Sequence, residues 1–169
     1  PIADLGGPSS WATGINDAGI VVGSSELPGS TPAAFVSHAY KRLPDNSVVD
    51  LGTLDGFASS EARRINAGGV VAGTASGPSG SHAVRWEADG QIVDLGAGEA
   101  WDINDAGVVV GQSALLRGFA FDPATGHQVT MPDLPGATQS EARGINNLGQ
   151  VVGFQSMNGP SAAVLWDLE

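Results

Sequence analysis

The chain has 169 residues and carries 18 acidic side chains against 7 basic ones, for a formal net charge of −11. A field of this sign repels phosphate backbones and anionic membrane surfaces, so we expect no nucleic acid and no membrane as partner. The chain has no cysteine, which excludes disulfides and thiol chemistry, and no apolar run approaches the roughly 20 residues of a membrane span. The length suits one domain, and 25 glycines between short Val- and Ile-rich runs indicate short strands with tight turns.

One motif occurs four times along the chain. An Ile-Asn pair precedes a glycine and a run of valines, as GINDAGIVVG at 14–23, RINAGGVVAG at 64–73, DINDAGVVVG at 102–111 and GINNLGQVVG at 144–153. The asparagines are Asn16, Asn66, Asn104 and Asn146, which are 50, 38 and 42 residues apart. Counted from Asn146 through the C-terminus and on from Pro1, the fourth interval is 39 residues. Because it matches the others, the spacing predicts that the two chain ends meet.

Each repeat is predicted to form four short strands. Strand a, such as EARRI at 61–65, leads into an N-x-x-G turn, and the valine run is strand b. A variable loop precedes strand c, such as HAVRW at 82–86, and a tight turn precedes strand d, such as QIVDLG at 91–96. We interpret the asparagines as turn residues, since Asn bonds its own turn and Gly adopts positive φ freely. The fourth strand d is IADLG at 2–6, so the N-terminus would complete the C-terminal repeat.

Four-stranded repeats of about 40–45 residues are typical of propeller blades. We therefore predict an all-β, four-bladed β-propeller, closed by pairing of the N-terminal strand with the C-terminal blade. The single domain covers 1–169, with blades at about 9–52, 60–96, 99–135, and 140–169 together with 1–7. The alternative is an open β-solenoid or a stack of hairpins, in which the chain ends need not complement each other.

The succession IN-x-x-G-x-V-V-G, HA-(aromatic or Val)-x-W and V-D-L-G resembles the HAF repeat, which occurs in tandem in bacterial proteins predicted to be extracellular. The resemblance covers nearly the whole chain and is closest at 62–96. The third and fourth repeats lack the His-Ala pair, and the first has Arg42 in place of the Trp. The resemblance implies a β-rich and often exported protein, and it brings no established catalytic residues. It suggests an extracellular location, while the absence of cysteine also fits the cytoplasm.

Two columns of residues lie where the longer loops enter strand a. The first column holds Trp11, Glu61, Glu99 and Glu141, and the second, two residues on, holds Thr13, Arg63, Trp101 and Arg143. The two-residue period of a strand places both columns on one face. The largest loop, 24–37, lies at the same end and is either a lid or a passive excursion. Because the columns differ between repeats, they favour one asymmetric pocket at the axis over four equal sites.

The leading hypothesis is a non-catalytic module that binds a small molecule or glycan, with the two tryptophans supplying stacking surface. Its ligand-binding residues would be Trp11, Thr13, Trp101, Glu61, Glu99, Glu141, Arg63 and Arg143. Two alternatives stay open. A small lyase, isomerase or cyclase would use one of the three glutamates as general acid or base, with both arginines stabilising negative charge. A structural or protein-interaction propeller would use Glu61–Arg63 and Glu141–Arg143 as ion pairs that hold the blades.

Other polar residues give weaker signals. The DLG aspartates recur in every repeat and suit a turn-capping role; they are Asp4, Asp50, Asp94 and Asp133. His38 and His82 match in position but lack a third ligand, so we predict no metal site and no cofactor. Backbone carbonyls at a narrow axis can still hold a structural ion. The expected partner is a small molecule or glycan, and the oligomeric state is open.

Overall fold

The computed structural model describes residues 4–31 and 35–168, which form 14 β-strands and no helix. The all-β prediction is confirmed. The four-bladed closed propeller is wrong, because the strands form three antiparallel sheets of four, seven and three strands, and none of the three is closed.

The strands follow one another in the order in which they pair. The four-stranded sheet contains β1 (Ser10–Ile15), β2 (Val21–Glu26), β3 (Ser37–Arg42) and β4 (Val48–Gly52). The seven-stranded sheet contains β5 (Ser59–Ile65), β6 (Val71–Gly77), β7 (Gly80–Trp86), β8 (Ile92–Ile103), β9 (Val109–Ser113), β10 (Gly118–Asp122) and β11 (His127–Thr130). The three-stranded sheet contains β12 (Gln139–Ile145), β13 (Gln150–Ser156) and β14 (Ser161–Asp167).

The seven-stranded sheet arises because β8 serves two repeats. Its first half pairs with β7, with Val84 opposite Asp94, and its second half pairs with β9, with Ala100 opposite Gly111. The connection between these halves is too short for a separate loop, and Gly96 and Gly98 pass through it at positive φ. We call the repeats units 1 to 4: β1–β4, β5 to the first half of β8, the second half of β8 to β11, and β12–β14.

The hydrophobic core lies between the units. One face of each unit, its trailing face, packs on the opposite, leading face of the next. At the first boundary Val22 and Leu51 of unit 1 pack with Ala62, Val84 and Trp86 of unit 2. The same arrangement recurs between units 2 and 3 and between units 3 and 4. The described residues therefore form a curved stack of four units with three internal boundaries, in which strand a of every unit borders one shared cavity. No described unit packs on its two end faces, the leading face of unit 1 and the trailing face of unit 4.

The asparagines of the first three repeats each tie one unit to the next. The Nδ2 group donates a hydrogen bond to the main-chain oxygen of the next asparagine, from Asn16 to Asn66 at 3.1 Å, from Asn66 to Asn104 at 3.1 Å and from Asn104 to Asn146 at 3.2 Å. A closed ring would return the fourth bond to Asn16. Instead, Asn146 Nδ2 donates to Gln150 Oε1 at 2.9 Å, so this ladder of asparagine hydrogen bonds ends at unit 4.

The predicted pairing of the N-terminal strand with the C-terminal unit is likewise not found among the described residues. Residues 1–3 of the predicted strand at 2–6 lie outside the described residues. The described part lies on unit 1, where Leu5 N–H donates to Ser25 Oγ and Ser10 Oγ donates to Asp4 Oδ2. No described residue pairs with the outer edge of β14. The repeat intervals matched in length, but matching intervals do not specify that the two end faces bury each other.

Every strand a contains a β-bulge at the same place. The pairing with strand b skips one residue in each unit, namely Thr13, Arg63, Trp101 and Arg143. Opposite each bulge stands the glycine that ends the valine run, in the order Gly23, Gly73, Gly111 and Gly153. A Cβ at any of these glycines would lie 1.8–2.0 Å from a main-chain oxygen of strand a. The repeated glycine therefore exists because the bulge brings two backbones too close for a side chain.

Gly73→Ala tests this close approach. The added methyl group would sit 2.0 Å from the Glu61 carbonyl oxygen, so the backbone must shift, and we expect a loss of about 3 kcal/mol in the free energy of unfolding. Urea denaturation measures the loss. Gly68→Ala is the matched control, because its nearest neighbour, Asn66 Oδ1, would lie at an ordinary 3.4 Å. Equal stability of the two variants would contradict the bulge geometry.

Candidate functional site

The four bulges bring the second predicted column together. A bulged residue has no partner on the neighbouring strand, and its side chain points in a different direction from those of its neighbours. The four side chains, together with Glu61 and Arg64, line a cavity of about 190 Å³. Thr13 Oγ1 joins units 1 and 2 here by donating to the Ala62 carbonyl oxygen at 2.6 Å.

Trp101 is at the centre of this cluster. The guanidinium carbons of Arg63 and Arg143 lie 4.0 and 4.1 Å from the centroid of its indole. Cations at this distance from an indole are attracted by its negative face. The positive charges of these two arginines are balanced by the glutamates of the first column. Arg63 Nη2 lies 3.5 Å from Glu61 Oε2 and 3.4 Å from Glu99 Oε2, and Arg143 Nη2 lies 2.5 Å from Glu141 Oε2.

Under the structural alternative, the Glu61–Arg63 and Glu141–Arg143 ion pairs would hold neighbouring units together. Glu61–Arg63 and Glu141–Arg143 are pairs, but each joins two residues of a single strand and so bridges no boundary. Two other contacts cross a boundary, since Arg63–Glu99 and Arg64–Asp102 both link units 2 and 3. One nitrogen of Arg63 donates a hydrogen bond to Glu99 and forms an ion pair with Glu61, so it holds the two carboxylates close to each other.

Beside the cluster lies a larger cleft of about 510 Å³ that sequence reasoning did not find. It shares Glu61, Arg63 and Glu99 with the cluster and is otherwise lined by Phe35, Ser37, Ser59, Ser60, Thr74, Ser76 and Gly77. Phe35 and Ser37 belong to the long loop 24–37, of which residues 32–34 lie outside the described residues. The hydroxyl residues gave no signal because serine and threonine are common in turns. Alternation along β5, which puts Ser59, Glu61 and Arg63 on one side, was the available clue.

The polar groups of the cleft are only partly used within the protein. Glu61 and Glu99 are about half exposed, and each directs Oε2 at Arg63, while no described residue donates a hydrogen bond to either Oε1. Thr74 is buried, and its Oγ1 has no hydrogen-bond partner among the described residues. Ser60 Oγ, by contrast, accepts from Ala39 N–H and donates to the Gly52 carbonyl oxygen. The cleft thus presents free carboxylate acceptors on a fixed frame, with the unpaired Thr74 hydroxyl buried behind its surface.

Trp11 is the predicted site residue that the structure leaves apart. Its side chain is half exposed, at 51 %, and it lines neither the small cavity nor the cleft. Glu141 contacts the cluster only through Arg143. Of the two columns, the described structure therefore gathers Thr13, Glu61, Arg63, Trp101 and Arg143 around one cavity, with Glu99 on the cleft side.

The two matching histidines pair with the DLG aspartates. His38 Nδ1 lies 3.0 Å from Asp50, and His82 Nδ1 lies 2.9 Å from Asp94. The aspartates also cap their turns, since Asp50 Oδ1 and Asp94 Oδ1 accept from Gly52 and Gly96 N–H groups. Asp133, the DLG aspartate of unit 3, instead pairs with Arg117. In residues 4–31 and 35–168 no group of three His, Asp or Glu side chains is arranged to hold a metal ion.

Shifted pKa values occur at the N-terminal flank of unit 1. A hydrogen bond from the Ser10 hydroxyl, and another from the Gly6 N–H, lower the pKa of Asp4. Burial, with a smaller contribution from the negative charge of Asp4, raises the pKa of Tyr40. Neither titrating group lines the cleft.

No protein-family model matches the chain, and no curated protein matches it. The resemblance to the HAF repeat therefore stays a prediction from the sequence. The described residues include no helix of the length and apolarity that crossing a bilayer requires.

Trp101→Leu tests the cluster. The substitution removes the ring that two guanidiniums contact, and we expect the free energy of unfolding to fall by about 2 kcal/mol. Trp11→Leu is the matched control, because the Trp11 side chain is half exposed and lies outside the cluster. Chemical denaturation of both variants gives the comparison, and a cost for Trp101→Leu no larger than that of the control would be incompatible with the arrangement.

Proposed function

We propose that the protein is a non-catalytic binding module for a neutral, hydroxyl-rich ligand, a sugar or glycan, which it takes up in the cleft beside β5. The observation that carries the proposal is the pair of carboxylates, Glu61 and Glu99, held on the single guanidinium of Arg63 in a hydroxyl-lined cleft.

The chemistry of the cleft suits sugar hydroxyls. A carboxylate accepts hydrogen bonds from hydroxyl groups, and bonds to a charged acceptor are shorter and stronger than neutral ones. Serine and threonine hydroxyls act as donor or acceptor as the ligand requires. The half-exposed ring of Phe35 offers an apolar surface for the C–H face of a sugar. The volume, about 510 Å³, lies within the range of about 300–1,000 Å³ usual for ligand pockets.

Charge argues for a neutral ligand. Two carboxylates face the cleft with one guanidinium, and the chain as a whole carries a net charge of −11. An anionic ligand would be repelled both at the site and during its approach.

The same positions in the other units argue for a single site. The residue that corresponds to Glu61 is Trp11 in unit 1, and the residue that corresponds to Thr74 is Gln112 in unit 3 and Phe154 in unit 4. This distribution supports one asymmetric site per chain, as expected for a module that binds one ligand rather than for a multivalent lectin.

The lyase, isomerase or cyclase alternative stays a prediction. Both arginines that would stabilise developing negative charge already contact carboxylates, and no described contact marks a reacting position. Binding is the simpler use of the same groups.

Glu61→Gln is the decisive substitution. An array of neutral mono- and oligosaccharides identifies the ligand for the wild-type protein, and calorimetry then compares affinities. We expect Glu61→Gln to weaken binding at least about tenfold, because a hydrogen bond to a charged acceptor is worth about 1.5–3 kcal/mol. Phe35→Ala should weaken binding of the same sugar by loss of ring contact.

Glu141→Gln is the control, since it makes the same change in the same column but lies outside the cleft. It should leave the affinity within about twofold of wild type. Failure of the wild-type protein to bind any neutral sugar, or equal losses in Glu61→Gln and Glu141→Gln, would overturn the proposal.

A further inference from the structure

The loop between β13 and β14 contains an Asn-Gly pair, Asn158–Gly159, and both residues are exposed. Asn158 is the only asparagine of the chain that a glycine follows. The main-chain nitrogen of the next residue can attack the side-chain amide carbon of an asparagine and close a five-membered ring. Because glycine has no Cβ, no side chain on the following residue obstructs that attack. The sequence thus makes this amide the most reactive one in the chain.

The turn at the tip of this hairpin lacks one closing hydrogen bond. The two strands pair as far as the loop, and Met157 N–H donates to the Pro160 carbonyl oxygen at 2.9 Å. A β-turn is commonly closed by the N–H of its fourth residue, but here that residue is a proline, which has no N–H. The peptide units between Met157 and Pro160 are therefore held by one bond only, and they can rotate toward the geometry of ring closure.

The surroundings of the pair leave the reacting groups free. The angle φ is 43° at Asn158 and 140° at Gly159, so both residues lie in the region of positive φ. No described residue forms a hydrogen bond or an ion pair with the Asn158 side chain. A Cβ built on Gly159 would meet no atom within 4 Å, so the space beside its backbone is open. Neither the amide carbon nor the attacking nitrogen is shielded by another part of the protein.

The other six asparagines are held in place by hydrogen bonds. The side-chain oxygen of each accepts one within the protein, at Asn16, Asn46, Asn66, Asn104, Asn146 and Asn147. After Asn66 and Asn104 the following N–H is bonded as well, because Ala67 donates to Asp105 Oδ1 and Asp105 donates to Asn147 Oδ1. Ring closure at these positions would break bonds that join the units, whereas ring closure at Asn158 breaks none.

We propose that Asn158 undergoes spontaneous deamidation in the folded protein, and that the turn bond missing at Pro160 sets the rate. The Gly159 nitrogen attacks the side-chain amide carbon of Asn158, the amide C–N bond breaks, and the amide nitrogen leaves as ammonia with the proton of the attacking nitrogen. A cyclic imide remains. Water then adds to one of its two carbonyl carbons and opens the ring, which gives aspartate or isoaspartate at position 158. The only co-reactant is water.

Deamidation changes the loop in two ways. It adds a negative charge to a chain whose formal net charge is already −11. The isoaspartate product also inserts the side-chain carbon into the main chain, so it lengthens the turn between β13 and β14. No residue of 157–160 lines the cleft beside β5, so the modification and the proposed sugar binding are independent of each other.

Peptide mapping by mass spectrometry tests the proposal. The wild-type protein is incubated at mildly alkaline pH, with circular dichroism confirming that it stays folded, and is sampled over time. We expect the mass change of an amide-to-acid exchange to accumulate at Asn158 before any other asparagine, as a mixture of aspartate and isoaspartate. The rate should rise with pH, because the attacking nitrogen must lose its proton. Asn158→Gln should lose the modification, because glutamine would have to close a less favourable six-membered ring.

Pro160→Ala separates the effect of the turn from that of the Asn-Gly pair itself. It retains the pair and supplies an N–H that can close the turn on the Met157 carbonyl oxygen, so we expect deamidation to slow about fivefold. Pro28→Ala is the matched control, since Pro28 is an exposed proline of another loop, and it should leave the rate at Asn158 unchanged. Absence of deamidation at Asn158 in the folded protein, or earlier modification of another asparagine, would overturn the proposal. A rate in Pro160→Ala equal to or above that of the wild-type protein would overturn it as well.

Discussion

In the first three repeats the asparagine side chain bonds both its own turn and the next unit, and the packing of the units depends on both bonds. Its Oδ1 accepts the N–H of the residue four positions on, at 2.9–3.0 Å in all four units, which fixes the turn between strands a and b. In the first three units its Nδ2 reaches the corresponding turn of the next unit. Because one side chain sets both the turn and the distance to the next turn, the apolar faces of successive units meet in constant register. The buried clusters between units follow from that register.

The bulge in strand a explains how a regular stack can carry an irregular site. The glycine opposite the bulge is fixed by the close approach of two backbones, so it repeats in every unit. The bulged residue itself has no pairing role, so it is free to differ, and it is Thr13, Arg63, Trp101 and Arg143 in turn. The glycines that fix the fold and the bulged residues that form the site are therefore different residues, although they face each other on paired strands. The proposed sugar cleft uses this freedom, since Arg63 orients two carboxylates that no other unit presents in the same way.

The sequence allowed the all-β class, the asparagine turns and the shared location of most column residues to be predicted, because strand alternation and turn chemistry act over a few residues. The closed ring could not be judged in the same way. Interval lengths report how much chain lies between repeats, but they do not report whether Val152 and Ile15 are covered. Arg42 and Gln150 were the visible signs of uncovered ends, because each puts a polar group where internal boundaries need an apolar one. The cleft was missed because Phe35 and Ser37 of unit 1 and Glu99 of unit 3 join the residues of unit 2 only when the units are packed together.

An open ladder makes the four asparagines unequal, and the unfolding free energies of Asn66→Ala and Asn146→Ala measure that inequality directly. Asn66 is buried and bonds its own turn and the next unit, so its loss should cost about 3 kcal/mol. Asn146 is exposed and bonds only within unit 4 through its side chain, so its loss should cost about 1 kcal/mol. A difference of about 2 kcal/mol in urea denaturation is the result that the open stack predicts. Equal costs for the two variants would mean that the ladder continues past Asn146, and would contradict the account.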